Sequence, residues 1–142
     1  MRPLWYILDK DKNSVPAKDA AQANRLLSDT DARRVALDKI FIEDYGVALT
    51  ISTVFLVLDH SHSPKSKPVL FESMIFNGDE TESMNRYCTW QEAVEGHKKM
   101  VELAKNNIWV GRVLDKISAD ISGTKAVTKK IIEGLKKELF YN

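Results

Sequence analysis

The sequence predicts an α+β fold: an antiparallel β-sheet of three to four strands packed with helices, plus a C-terminal helical extension. Three observations predict it. Apolar, β-branched runs separated by short turns follow one another between Arg33 and Phe76, as consecutive antiparallel strands do. After Thr89 the apolar residues recur at three- and four-residue spacing, the mark of amphipathic helices. The chain has 142 residues, 44% of them hydrophobic, which is enough for one compact core.

The elements follow in order. "PLWYILD" (Pro3–Asp9) is aromatic and aliphatic and reads as a strand, closed by the polar turn "KDKN". Pro16–Asp29 reads as a helix with Pro16 near its start and Ala20, Ala23, Leu26 and Leu27 on one stripe. In Arg33–Asp44, Val35, Leu37, Lys39 and Phe41 alternate with Arg34, Ala36, Asp38 and Ile40, which favours a strand. Val47–His60 is apolar at both alternating sets, so it is expected at the centre of a sheet covered on both sides. Val69–Phe76 is its antiparallel partner, and "NGDETES" after it reads as a turn or loop. Thr89 and Glu92 form a T-x-x-E capping box. It opens a helix to about Asn106, with Trp90, Ala93, Val94, His97, Met100, Val101 and Ala104 on its buried stripe. Two further amphipathic helices are expected over Ile108–Ile121 and Thr124–Tyr141. The organisation is therefore an α+β body over residues 1–106 and a helical extension over 107–142.

Composition excludes several functions. No segment reaches the roughly 20 apolar residues that cross a bilayer. "MRPLWYILDKDK" lacks a secretion signal, and the single cysteine, Cys88, suits a reducing compartment, so the expected location is the cytoplasm. Residues 1–97 hold 11 Lys and Arg against 15 Asp and Glu, and residues 98–142 hold 10 against 5. The net charge of +1 gives no bias toward nucleic acid.

Candidate chemistry lies in four places. His60 and His62 form H-x-H in "LDHSHSPKSKP" and on a strand would share a side, with His97, Glu72 or Cys88 as a third metal ligand. The competing reading is a hairpin tip with solvated histidines, and no metal is expected. Glu72 sits among apolar strand residues, where a carboxylate needs a partner. It is expected to pair with Arg86 or His97, to face a ligand, or to act as an acid or base. "NRYCTW" places Arg86, Tyr87 and Trp90 at a helix start, where an anion and a stacked ring are favoured. The competing reading is a packing anchor for the helix. Cys88 precedes the same helix, a position that lowers a thiol pKa, yet it reads as an inert thiol. No phosphate-binding glycine loop and no nucleophile–histidine pattern is present.

The runs "STVFLVLDH", "PVLFESMIF" and "RYCTWQEAVEGHKKMV", with "WYILD" ahead of them, resemble a family of small proteins from tailed bacteriophages and prophages. The resemblance covers Pro3 to Val101 and implies the fold and a phage origin. The positions that match its pattern are Asp59, His60, Glu72, Arg86, Tyr87, Trp90 and His97, and they form the candidate ligand-binding set. Val57 departs from the pattern, which has glycine there, and the loop after His60 lacks the pattern's glycines, leaving His62 outside it. The function expected is a phage-encoded binding protein without catalytic residues or cofactor, sequestering a small anionic or nucleotide-like signal of host immunity. The alternatives are a protein-interaction module acting on a host protein, and a small hydrolase or lyase using Glu72 and His97. The amphipathic extension needs a covering surface, and a homo-oligomer is expected to supply it; the alternative is that these helices fold back on their own sheet.

Overall fold

A computed structural model describes residues 2–42, 47–77 and 80–120, together with residues 133, 134 and 137. The fold is α+β. Four antiparallel strands form a sheet in the order β3 (Arg34–Ile42), β4 (Val47–Phe55), β5 (Phe71–Asn77) and β6 (Glu80–Tyr87). A two-stranded ribbon of β1 (Tyr6–Leu8) and β2 (Ser14–Pro16), the helices α1 (Ala20–Ser28) and α2 (Thr30–Arg33), and the long helix α3 (Trp90–Asp120) complete it. No helix among the described residues is long and apolar enough to cross a membrane.

The apolar core lies between the sheet and the first half of α3. Along β4, Leu49, Ile51, Thr53 and Phe55 are buried while Thr50, Ser52 and Val54 between them are half-buried. The period of two puts the first set under α3. On the described part of α3, Ala93, His97, Met100 and Ala104 of the predicted stripe are buried, and Trp90, Val94 and Val101 are half-buried. Phe55, Phe71, Val57, Leu70, Tyr6, Ala23 and Ala93 form one apolar cluster, and Leu49, Ile51, Ile75, Met100 and Ala104 form another. Fully burying each of the larger side chains contributes about 1.5–3 kcal/mol. Thr53, Ser73 and His97 lie at the intervening positions of the three elements and make a polar layer between the clusters.

Several expectations are corrected. "NGDETES" is not merely a turn: β6 begins at Glu80. Its polar residues carry no alternation because β6 is an edge strand. The predicted first strand is not in the large sheet but pairs with β2, and Pro16 stands opposite Tyr6 instead of opening a helix. Helix α1 starts after Asp19, whose carboxylate accepts from the Gln22 amide at 2.8 Å. Among the described residues α3 covers one face of the sheet and no helix covers the other. Leu37 and Phe41, the more apolar alternating set of β3, point to that open face and are exposed, whereas Asp38 and Ile40 face α3.

Strand β4 ends at Phe55, five residues short of the predicted His60. The reason is local. Val57 has φ of 70°, the left-handed region that glycine tolerates and β-branched residues avoid. The chain beyond it bonds to residues near the N-terminus, with Tyr6 N–H to the Val57 carbonyl at 2.8 Å and Asp59 N–H to the Leu4 carbonyl at 3.0 Å. Helix α3 runs unbroken from Trp90 to Asp120, through the position 106/107 where the body was expected to give way to the extension. The expected helix over Thr124–Tyr141 lies outside the described residues apart from residues 133, 134 and 137, which are helical.

Candidate functional site

Three segments meet at the N-terminal end of α3 and enclose a cleft of about 430 Å³. The first is the turn between β1 and β2. Asp9 organises it, its carboxylate accepting from the Asp11 and Asn13 amides, both at 2.9 Å. These bonds, that of Asn13 foremost, hold the Asp9 carboxyl below the ordinary range. The turn closes with Lys12 N–H on the Asp9 carbonyl at 3.1 Å and sets Lys12 at φ 66°. The Lys12 ammonium then lies over the Trp90 ring, 4.9 Å from its centroid.

The second segment is the β4–β5 connection, which brings Lys67 and Pro68 to the cleft. Asp59 is its hub. One carboxylate oxygen accepts from the Ser61 and Val69 amides at 2.8 and 3.0 Å, and the other accepts from Arg2 Nη2 at 2.6 Å. Burial resists ionisation of Asp59, but the Ser61 and Val69 amides, the Ser61 hydroxyl and Arg2 outweigh it and lower the pKa to about 2. Arg2 also donates to the Ser61 hydroxyl and to the carbonyls of Pro64 and Ser66. The guanidinium thereby fills the loop that leads to Lys67.

The third segment is Cys88–Gln91. Trp90 is fixed edge-on to the fully buried Phe71, with centroids 6.3 Å apart and planes at 82°. The helix cap is already made, the Thr89 hydroxyl accepting from the Glu92 amide at 3.1 Å and donating to the Glu92 carboxylate at 2.9 Å. Burial, followed by the charge of Glu92, raises the Cys88 pKa, so the thiol stays protonated at neutral pH. The cleft thus offers two ammonium groups, one carboxylate (Asp11), an indole and the hydroxyls of Ser14, Thr89 and Tyr6. It suits an anion attached to a flat ring. Its lining contains no histidine and no activated nucleophile.

Of the seven sequence candidates, Trp90 alone lines this cleft. Glu72 and Arg86 are cross-strand partners on the open face of the sheet, with Arg86 Nε donating to Glu72 at 2.8 Å. His97 lies on the opposite face, under α3. Its Nδ1 is 2.7 Å from the Thr53 hydroxyl, its Nε2 is 2.7 Å from Asp38, and Thr53 is 2.5 Å from the Ser73 hydroxyl. A carboxylate only accepts, so Nε2 carries the proton and, in the neutral ring, Nδ1 accepts from Thr53. Thr53–His97–Asp38 has the order of a nucleophile, base and orienting acid. Thr53 and Ser73 are wholly buried, however, and no substrate reaches them. Glu72 and His97 therefore share no site. Tyr87 lies on the flank of α3 beside Gly96. Asp59 acts inside its loop, and half-buried His60 bonds through its backbone to the Val69 carbonyl at 2.9 Å. His62 is exposed, and the described residues contain no cluster of three or more His, Cys, Asp or Glu suited to a metal.

Sequence reasoning missed Lys12, Lys67, Asp38, Thr53 and Ser73. The two lysines sit in turns, where no periodicity marks which way a side chain points. The two hydroxyls were visible as the polar interruptions of apolar strands opposite an inward-facing histidine. No family model matches the chain, and no curated protein or solved structure matches it significantly.

Proposed function

We propose that this chain is a phage-encoded binding protein that sequesters a small anionic, nucleotide-like ligand, a signal of host immunity, in the cytoplasm of the infected bacterium. The observation that carries the reading is the cleft at the start of α3. Lys12 lies over the Trp90 ring, Lys67 lines the same cleft, and Cys88 is held as a neutral thiol. Cations beside an aromatic ring favour a phosphate joined to a base. A lining with no histidine and with its thiol held neutral favours holding the ligand over converting it. The phage origin rests on the resemblance in "STVFLVLDH" and the runs after it. Calorimetry against a panel of cyclic nucleotides and ADP-ribose derivatives tests the proposal. The expected result is saturable heat with one member, weakened at least tenfold by Trp90→Ala, with the ligand recovered intact. Silence across the panel, or a recovered product in place of the ligand, would sink it.

A second reading, a protein-interaction module, is favoured by the open sheet face, where Leu37, Phe41 and Met84 are 39%, 64% and 47% exposed. Exposed apolar side chains on a sheet face are the kind of surface that protein partners cover.

A further inference from the structure

We infer that Lys12 is an exchangeable cover of Trp90, and that the cleft takes a nucleoside monophosphate whose phosphate draws Lys12 away while its base stacks on the indole. The inference rests on the reading of the cleft as a ligand site and adds the ligand class and the way it enters.

The indole cannot be the moving part. Trp90 is packed edge-on against Phe71, which has no exposed surface, and it begins a helix whose cap is complete. Lys12 is the opposite case. It is exposed, it sits on a two-stranded ribbon, and its hold on the ring is one cation–π contact at 4.9 Å. Such a contact near solvent is weak and readily exchanged. Its backbone is left-handed, where glycine would be the easier residue. The sequence nevertheless places a long cation there, and the turn aims it at the ring.

Charge and size set the class. Lys12 and Lys67 oppose Asp11, so the lining carries one net positive charge. Against one net positive charge, a single phosphate group leaves the least negative charge unpaired, whereas a triphosphate leaves far more. The cleft volume lies toward the low end of the range for small-molecule sites and fits one base, one sugar and one phosphate. A base stacked on Trp90 would occupy the place that the ammonium holds in the free protein, so ring and phosphate act on Lys12 together.

This exchange has a signature that a simple basic pocket lacks. An uncharged nucleoside competes with Lys12 for the indole and gains nothing from moving it. Removing the lysine therefore helps a nucleoside and harms its monophosphate. Lys12→Gly is the suitable variant, because glycine accepts the backbone conformation without strain. The full-length protein with 15N-labelled tryptophan is titrated with adenosine, adenosine 5′-monophosphate and inorganic phosphate while the Trp90 indole N–H resonance is followed. In the wild type, the monophosphate is expected to shift the resonance and bind at least tenfold more tightly than adenosine. In Lys12→Gly, adenosine affinity is expected to rise severalfold and the monophosphate to weaken, so that the two converge. If adenosine and its monophosphate both weaken in Lys12→Gly, Lys12 is a fixed contact and the exchange is wrong while the site stands. If neither compound nor phosphate moves the Trp90 resonance, the site reading fails together with the inference.

Discussion

Asp59 is a carboxylate with a structural task, and its energetics give a prediction at the residue scale. Its folded-state pKa of about 2 lies below the ordinary value of 3.8. A depressed acid contributes stability that is fully present above pH ~4 and is lost as pH falls through about 2. The shift corresponds to roughly 2 kcal/mol at most, and solvent around the partly exposed Arg2 reduces this to about 1–2 kcal/mol. Asp59→Asn is expected to lower the unfolding free energy by that amount at pH 7, and the gap to the wild type should shrink steeply between pH 4 and pH 2 and close only below pH 2. A gap that stays constant in denaturant titrations from pH 7 to pH 2 would show that the charge of Asp59 contributes nothing. The role of Asp59 was hidden in the sequence because its partner, Arg2, is 57 residues away. The Glu72–Arg86 pair was legible, since a lone acid in an apolar strand demands a partner and Arg86 is close in sequence. The way each side chain serves the cleft was not, because loop direction is set by hydrogen bonds that no period records.

At the scale of elements, α3 and β6 meet at a contact that glycine alone allows. A Cβ on Gly96 would fall on the Tyr87 ring, well inside van der Waals contact. The Tyr87 hydroxyl is buried without a hydrogen-bond partner among the described residues, so the ring is held there by packing. Gly96→Ala is therefore expected to destabilise the protein by about 1–3 kcal/mol, as overpacking does, despite the ~1 kcal/mol that alanine adds to helix propensity. In a Tyr87→Ala background the same change should become stabilising. A double-mutant cycle by denaturant unfolding checks the sign reversal, and a destabilising effect in both backgrounds would place the clash elsewhere. The side of α3 that packs on the sheet was readable from spacing over residues 93–104, as was β4 at the sheet centre. Edge strand β6 was not, because its residues, ETESMNRY, carry no alternation of apolar and polar side chains. Nor was the early end of β4, which turns on the backbone angle of Val57.

The whole molecule leaves one apolar surface to account for. Helix α3 covers a single face of the sheet, and its 31 residues span roughly 46 Å, against about 30 Å for a nine-residue strand. The helix is therefore longer than the sheet it packs on. On the other face Leu37, Phe41 and Met84 are exposed, and the sequence of the tail adds Val127, Ile131, Leu135 and Leu139 at four-residue spacing. Apolar surface of this kind costs free energy while it faces water, and a second copy of the chain related by a twofold axis is the commonest cover. The chain is expected to be a dimer. Phe41, the most exposed large apolar residue of the sheet among the described residues, supplies the cleanest probe, because a charge there leaves the buried core untouched. Light scattering should give twice the monomer mass for the wild type at micromolar concentration. Phe41→Asp, or deletion of Gly123–Asn142, should reduce that mass to the monomer while circular dichroism stays unchanged. A monomer mass for the wild type at high concentration would remove the dimer outright. Unfolding on deletion, without dissociation of a folded monomer, would show that the tail completes its own chain.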